Sequence, residues 1–194
     1  MKKENYFIYI FRHGQTEYNR DKRFTGWHES KLTKLGRKQA QIIAKKLKNK
    51  QINIAFQTKL SRSKDSLKPV LKYHPECRKI ITDNRMIERS YGKLETHYHK
   101  EIIEKYTKKQ FDLWHRGYAI SPPGGESIKK VEKRVRSFIK DLIKFIKKNK
   151  VNVVISAHGN SMRPFKRYFD KLTIKQMMKW KVPFDKVYSY KVRA

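Results

Sequence analysis

The chain has 194 residues and a formal net charge of +32 at pH 7, because 49 Lys and Arg residues outnumber 17 Asp and Glu residues. This length, with a hydrophobic fraction of 38%, predicts one folded domain over residues 1–194 and excludes a disordered chain. No apolar stretch could span a bilayer, no signal-peptide core follows Met1, and the one cysteine, Cys77, excludes an internal disulfide, so we expect a cytoplasmic protein with no membrane partner.

The first predicted element is a strand over residues 6–11, an apolar run that ends at Arg12-His13-Gly14. Because the run is apolar throughout and does not alternate with polar residues, we expect a central strand that is buried on both faces. Ligand sites in such folds lie just beyond the carboxyl ends of the strands. The sequence therefore predicts that a cation, Arg12, and an imidazole, His13, lie at the carboxyl edge of a sheet.

Strands alternate with helices along the rest of the chain. The further predicted strands are 53–56, 79–81, 151–155 and 187–192. The predicted helices run from an N-cap at Thr33 to about Lys48, from Arg62 to about Pro69, from Glu126 to Phe145, from about Ser161 onward, and over 176–180, and residues 97–114 are predicted to be mostly helical. This alternation predicts an α/β fold with three layers, α/β/α, around a mostly parallel central sheet.

Two of the predicted strands lead to a histidine that is followed by glycine, at His13-Gly14 and His158-Gly159. If both strands are central and parallel, both imidazoles emerge at one edge of the sheet. Nearby cations, Arg12 and Arg62, would lower the pKa of an imidazole and keep a ring nitrogen free to attack, and guanidinium groups match phosphate oxygens. The pattern indicates an anion site with a nucleophilic histidine. The alternative is a pair of core histidines whose arginine neighbours bind surface acids.

The remaining histidines give weaker patterns. His97, His99 and His115 lack the spacing of a strong metal site, so we expect no metal there. We expect His28 and His74 to lie at the surface.

Arg12 to Asn19 reads R-H-G-Q-T-E-Y-N, which resembles the R-H-G-x-T-x-x-N motif of the histidine phosphatase superfamily. The resemblance continues almost to the end of the chain. Within that superfamily, E-R-S-Y-G at 88–92 and H-G-N-S-M-R at 158–163 resemble the 2,3-bisphosphoglycerate-dependent phosphoglycerate mutases. The further matching segments are 24–36, 60–62 and 114–123. The resemblance implies a phosphoglycerate mutase-like fold.

The resemblance also implies catalytic roles. His13 would take up the phosphoryl group as phosphohistidine, while Arg12, Arg62 and His158 surround the phosphoryl oxygens. Glu88 would donate a proton to the leaving oxygen and accept one from the attacking hydroxyl. The reaction implied is the interconversion of 3-phosphoglycerate and 2-phosphoglycerate, in glycolysis and gluconeogenesis. 2,3-Bisphosphoglycerate would be the primer, and no metal is needed.

Substrate-binding residues follow from the same resemblance. The family's substrate lysine falls at Lys100 or, with a shift of one residue, at His99. Residues implied to contact the phosphoryl group or the substrate are Asn19, Thr25, Gly26, Gly159 and Asn160, and those implied to hold its carboxylate and second phosphate are Arg89, Tyr91 and Arg116. The implied partner is a small phosphorylated metabolite, and a homodimer is one assembly that the family uses.

Three departures from the mutase pattern favour an alternative, a phosphatase that hydrolyses small phosphomonoesters at the same site. His115 stands where the mutases have an arginine, and Gly124 follows Pro122-Pro123 without the insertion of longer mutases. The chain also lacks their C-terminal tail. Because that loop and tail help to exclude water, their loss favours hydrolysis over transfer.

The net charge supports a third alternative, a basic nucleic-acid-binding protein on this fold. The lysines are spread along the chain, as at Lys45-Lys46, Lys108-Lys109 and Lys147-Lys148, and no nucleic-acid-binding module is recognisable. This distribution favours solvated helix faces, so we do not expect nucleic acid as the partner.

Overall fold

A computed structural model describes residues 4–193 of the protein, which form a five-stranded sheet in the order β3-β2-β4-β1-β5. The strands are β1 (Asn5–Arg12), β2 (Ile54–Gln57), β3 (Lys79–Thr82), β4 (Val153–Ala157) and β5 (Val187–Arg193). The four strands β1 to β4 are parallel, and β5 pairs antiparallel with β1. The prediction of a mostly parallel sheet with β1 inside it is confirmed.

Helices cover both faces of this sheet. They are α1 (Glu17–Arg20), α2 (Lys34–Leu47), α3 (Ser61–Leu71), α4 (His99–Tyr106), α5 (Lys108–Arg116), α6 (Ile128–Asn149), α7 (Gly159–Asp170) and α8 (Ile174–Lys179). One core packs α6 and α7 against a sheet face, with Phe138 and Phe165 beside Ile8 and Ile155. The other core packs α2 and α3 against the opposite face. The three-layer α/β/α prediction is confirmed. No helix within residues 4–193 is long and apolar enough to cross a membrane.

The prediction that residues 97–114 are mostly helical is confirmed, and the segment forms two helices, α4 and α5. Thr107 has φ 146°, which ends α4 and lets its side chain cap α5. These two helices and the loop before them enclose a third, smaller cluster of Phe24, Tyr91, Leu94, Ile102 and Phe111. The loop consists of the 3-10 turns Asn84–Met86 and Gly92–Leu94 and the residues between them. This region forms one side of the pocket described below.

The structure differs from the sequence predictions in two places, the burial of His74 and the start of α7. His74 is buried, 2% exposed, because its Nδ1 lies 2.9 Å from Glu76 Oε1 under the end of α3. The helix α7 begins at Gly159, before the predicted start near Ser161, since His158 is its N-cap. Strand β4 ends at Ala157, so His158 follows the last strand residue directly.

The loop after β1 lies directly on the start of α2. A Cβ added to Gly36 would lie 2.0 Å from the Gln15 carbonyl oxygen, and one added to Gly14 would lie 2.1 Å from the Gly36 carbonyl oxygen. The Thr33 side chain accepts from the Gly36 N–H at 2.9 Å, which fixes the first turn of α2. Glycine at both positions therefore lets the His13 loop rest on this helix.

Gly36→Ala should destabilise the protein by about 2 kcal/mol, because either the loop or the helix must move. Helix propensity alone predicts the opposite effect, an increase of about 1 kcal/mol in the free energy of unfolding. The free energy of unfolding from urea denaturation decides between them. Gly124→Ala is the comparison variant. Its φ is +70°, and the added Cβ would meet its neighbours only at ordinary contact distances of 3.9 Å or more, so backbone strain alone should cost about 1 kcal/mol.

Candidate active site

The two strand-end histidines meet at one edge of the sheet. Strands β1 and β4 are neighbours with Arg12 opposite Ala157, so the next residue of each strand, His13 and His158, emerges side by side. Their ring centroids are 5.0 Å apart, and both residues are buried. The His13 N–H donates to the Ala157 carbonyl at 3.0 Å. The sequence prediction that both imidazoles share this edge is confirmed.

The His13 ring is held in one orientation. Its Nδ1 lies 2.7 Å from the Gly14 carbonyl oxygen, which only accepts, so Nδ1 carries the proton and Nε2 carries a lone pair. Burial, together with the charges of Arg62 and Arg12, holds the pKa of His13 well below 6.5. A neutral imidazole with a free Nε2 is the form that attacks phosphorus.

His158 is fixed from the other side. Its Nε2 lies 2.8 Å from Thr58 Oγ1, and its Nδ1 is buried without a hydrogen-bond partner among residues 4–193. Burial and the nearby Arg62 hold the pKa of His158 well below 6.5. Two other buried polar atoms of the site, Arg12 Nε and Thr25 Oγ1, likewise have no partner within the described chain. Unpaired buried polar atoms are costly, and their convergence here is typical of a site for a polar ligand.

Arg12 and Arg62 bring positive charge to these rings without a paired acid. Arg12 donates to the Val182 carbonyl at 2.9 Å and stacks 3.8 Å from the centre of the Phe184 ring. Arg62 donates to the carbonyls of His28 and Gly26 at 2.8 and 2.7 Å. Within the described residues, neither guanidinium has a carboxylate oxygen within 4.0 Å. Burial lowers the pKa of Arg12 to about 10, which leaves it charged at neutral pH.

Glu88 is the carboxylate nearest the two histidines. Its Oε1 accepts the backbone N–H groups of Arg89 at 2.8 Å and Asn160 at 3.0 Å, which leaves Oε2 available for proton transfer. Its own carbonyl accepts from Trp27 Nε1 at 2.7 Å and from the Arg134 guanidinium at 3.0 Å. These contacts fix both the backbone and the side chain of Glu88.

One nitrogen of His13, one of His158 and a carboxylate oxygen of Glu88 lie within 4.8 Å of one another. This donor set has ligand types that a metal ion uses. The two unpaired guanidinium groups beside it oppose a cation and favour an anion. The electrostatic environment therefore favours an anion at this cluster.

The cluster opens into a cavity of about 300 Å³. Six cationic side chains line it, and Glu88 is the one carboxylate among the lining residues. The six are Arg12, Arg23, Arg62, Arg116, Arg163 and Lys181. Such a charge distribution attracts and holds a small ligand with more than one negative group.

One part of the cavity is formed by four rings, Phe24, Tyr91, His99 and His115, which we call the aromatic wall. The two imidazole centroids are 4.9 Å apart, and Phe24 lies 4.5 Å from His99 and 5.6 Å from His115. Burial, with the adjacent charge of Arg116, lowers the pKa of His99 to about 4 and that of His115 to about 3. Both imidazoles are therefore uncharged at neutral pH.

Most of the residues singled out from the sequence are brought together here. His158 lies against His13, and the others line the cavity: Arg12, His13, Asn19, Thr25, Gly26, Arg62, Glu88, Tyr91, Arg116, Gly159 and Asn160.

Two predicted substrate-binding residues, Lys100 and Arg89, are not brought to the cavity. Lys100 is exposed and pairs with Glu104 at 3.7 Å. His99 lines the cavity in its place, because consecutive helix residues point about 100° apart. Arg89 is fully buried, and its guanidinium donates to carbonyl oxygens, including that of Glu126 at 2.6 Å. It therefore fixes the loop instead of facing a ligand.

Sequence reasoning gave no role to four residues that shape the site. Arg23, Arg163 and Lys181 line the cavity, and Arg134 holds the Glu88 loop through the carbonyls of residues 85, 87 and 88. Arg163 lies inside the motif 158–163, which could have signalled it. Arg134 and Lys181 carry no local signal, because long-range packing brings them to the site.

Acidification should weaken the fold through His13 and His158. Below pH 6.5 an unfolded chain binds protons at both imidazoles, whereas the folded chain, with both pKa values well below 6.5, does not. The free energy of unfolding contributed by the pair should fall by about 2–3 kcal/mol from pH 7.5 to pH 5.5. His13→Asn should remove about half of this dependence in urea denaturation, and an unchanged pH slope in that variant would contradict the neutral, buried His13.

Comparisons with known proteins agree with this geometry. The family model described as "Histidine phosphatase superfamily (branch 1)" matches residues 8–193. A relative named 2,3-bisphosphoglycerate-dependent phosphoglycerate mutase, from Cytophaga hutchinsonii, is 35% identical over 166 residues, which cover 86% of this chain and 78% of that protein.

Among solved structures, a mycobacterial glucosyl-3-phosphoglycerate phosphatase matches with a TM-score of 0.82 at 22% identity, over 97% of this chain and 91% of that one. A phosphoglycerate mutase from Bacillus anthracis matches with a TM-score of 0.78 at 20% identity, over 97% of this chain and 88% of that one. At these identities the two structures show a shared fold.

Proposed function

The chain belongs to the histidine phosphatase superfamily, and on this premise we propose that it is a 2,3-bisphosphoglycerate-dependent phosphoglycerate mutase that acts through phosphohistidine at His13. The observation that carries the proposal is the cavity itself, where a neutral His13 with a free Nε2 faces six cations and one carboxylate. The relatives named as mutases, at about one-third identity, support the choice of phosphoglycerate as substrate.

The first half-reaction uses the geometry of His13. Its Nε2 attacks phosphorus in line with the leaving oxygen, the N–P bond forms as the P–O bond breaks, and Glu88 protonates the departing alkoxide. The Gly14 carbonyl stabilises the positive ring by accepting from Nδ1. Arg12, Arg62 and His158 stabilise the charge on the equatorial oxygens.

The second half-reaction reverses these roles. A substrate hydroxyl attacks the phosphoryl group on His13, Glu88 accepts the hydroxyl proton, and the neutral imidazole leaves. In the priming step 2,3-bisphosphoglycerate supplies the phosphoryl group, with its second phosphate and its carboxylate against the cations outside the Arg12–Arg62 pair. Arg116, Arg163, Arg23 and Lys181 are the residues that would hold them. No metal enters this account, because guanidinium groups supply the positive charge.

Hydrolysis is the second candidate function, and the aromatic wall favours it. His99 and His115 are uncharged, so the aromatic wall adds no positive charge with which to hold a second anionic group. Water as the acceptor in place of a hydroxyl gives a phosphatase with the same nucleophile and the same Glu88.

One assay separates the two functions. Purified protein receives 3-phosphoglycerate with and without a trace of 2,3-bisphosphoglycerate, and 2-phosphoglycerate and free phosphate are both followed. The proposal requires isomer formation that depends on the bisphosphate and exceeds phosphate release. Phosphate release without isomer would overturn the mutase and establish the phosphatase. Salt-sensitive binding of RNA that displaces substrate would instead support the nucleic-acid alternative.

A further inference from the structure

His99 and His115 form a contact pair within the aromatic wall. Their ring centroids are 4.9 Å apart, and the Phe111 ring packs against both, at 5.2 Å from His99 and 5.0 Å from His115. The two residues come from different helices, α4 and α5, which the break at Thr107 folds against each other. The packing of α4 against α5 therefore fixes the position of this pair in the cavity.

The pair lies in a different charge environment from His13. Arg12 and Arg62 act on His13, whereas Arg116 is the cation that acts most on both His99 and His115. A second proton on either ring would place a charge inside the aromatic packing and beside the Arg116 guanidinium. Both effects oppose protonation, so the rings offer hydrogen bonds and no charge.

The other cations of the cavity are partly committed to the protein. Arg163 donates to the carbonyls of Met177 and Met178 at 3.0 and 2.8 Å, and Arg23 donates to the Thr96 carbonyl at 2.6 Å. Arg116 and Lys181 are exposed, where solvent screens their charge. A second phosphate near the aromatic wall is therefore held less firmly than the phosphoryl group beside His13.

We propose that the His99–His115 pair sets the partition of the phosphohistidine between transfer and hydrolysis, by weakening the retention of the phosphoglycerate that shares the cavity with it. This inference rests on the proposed function. When the phosphoglycerate leaves while His13 still carries the phosphoryl group, water attacks the phosphorus on His13. The N–P bond then breaks, Glu88 accepts the proton of the water, and inorganic phosphate and neutral His13 result. Each such event consumes the primer, so isomerisation is accompanied by phosphate release.

The test adds a positive charge to the pair. His115→Arg should raise the ratio of 2-phosphoglycerate formed to phosphate released by about tenfold and lower the KM for 2,3-bisphosphoglycerate by a similar factor. The KM for p-nitrophenyl phosphate, which has no second anionic group, should not change. His99→Lys is the second variant if the longer side chain of His115→Arg prevents folding, and the same shifts are expected.

A matched control makes the test specific. His97→Arg adds the same charge two residues from His99, on an exposed side chain outside the cavity, and should leave the ratio unchanged. An unchanged or lower ratio in folded His115→Arg and His99→Lys, with an unchanged KM for the bisphosphate, would overturn the inference.

Failure of the proposed function gives a different result. If the unaltered protein forms no isomer, the assignment of mutase activity is wrong. The KM for 2,3-bisphosphoglycerate as a hydrolysed substrate then still reports on how firmly the His99–His115 pair lets the cavity hold this ligand. A tenfold lower KM in His115→Arg would then support weak retention, and no change would contradict it.

Discussion

His13→Ala should lower the rate of phosphoryl transfer by at least about 10⁴-fold, or about 5.5 kcal/mol of transition-state stabilisation. The variant removes the nitrogen that forms the covalent intermediate, and His158 cannot replace it. The Nε2 of His158 is engaged by Thr58, and its ring lies beside the carboxyl end of a different strand. The measurement is kcat/KM for both isomer formation and phosphate release, because both reactions pass through the same phosphohistidine.

The matched control for this variant is His97→Ala. His97 is exposed and lies outside the cavity, so its loss should leave kcat/KM within twofold. Circular dichroism and urea denaturation should show a folded His13→Ala protein, since removal of a buried neutral imidazole leaves no unpaired charge. Either activity at the unaltered rate in His13→Ala would show that the nucleophile is misassigned.

Glu88→Gln should produce the second-largest effect, a loss of about 10²- to 10⁴-fold with phosphoglycerate as substrate. The amide oxygen of glutamine keeps the acceptor for the backbone N–H groups of Arg89 and Asn160, so the loop should keep its shape. Proton transfer is lost, because an amide neither gives nor takes the proton at neutral pH.

The leaving group provides the internal control for this variant. p-Nitrophenolate departs without protonation, so the formation of phosphohistidine from p-nitrophenyl phosphate should be slowed far less than its formation from a sugar-acid phosphate. The ratio of the two effects, from burst kinetics with each donor, isolates the general-acid step. Equal losses with both donors would show that Glu88 acts by positioning or charge alone.

The sequence predicted the centre of the site well because its signal is local. An apolar run that stops at His13, and another that stops before His158, place both imidazoles at the carboxyl edge of adjacent parallel strands. Arg12 follows from the same position. The resemblance to the histidine phosphatases added Glu88, whose loop carries no comparable pattern of its own, and gave Arg62 its place beside the phosphoryl oxygens.

The periphery of the site depends on helix phase and on long-range packing, which the sequence shows poorly. A difference of one residue decides whether His99 or Lys100 faces the cavity, and the break at Thr107 that turns α5 towards it depends on a backbone angle rare for threonine. Arg89 was predicted to bind the substrate because it lies in the motif 88–92. In the structure its guanidinium instead donates to backbone carbonyl oxygens inside the fold.

The most direct test of the central claim is the site of covalent phosphorylation. The protein is mixed with 2,3-bisphosphoglycerate labelled at both phosphates with ³²P, quenched in alkali and digested, and the labelled peptide is identified by mass spectrometry. The account predicts label on the peptide that contains His13, stable in alkali and lost in acid, and absent from His13→Ala. Label on another residue, or none while phosphoryl transfer proceeds, would contradict it.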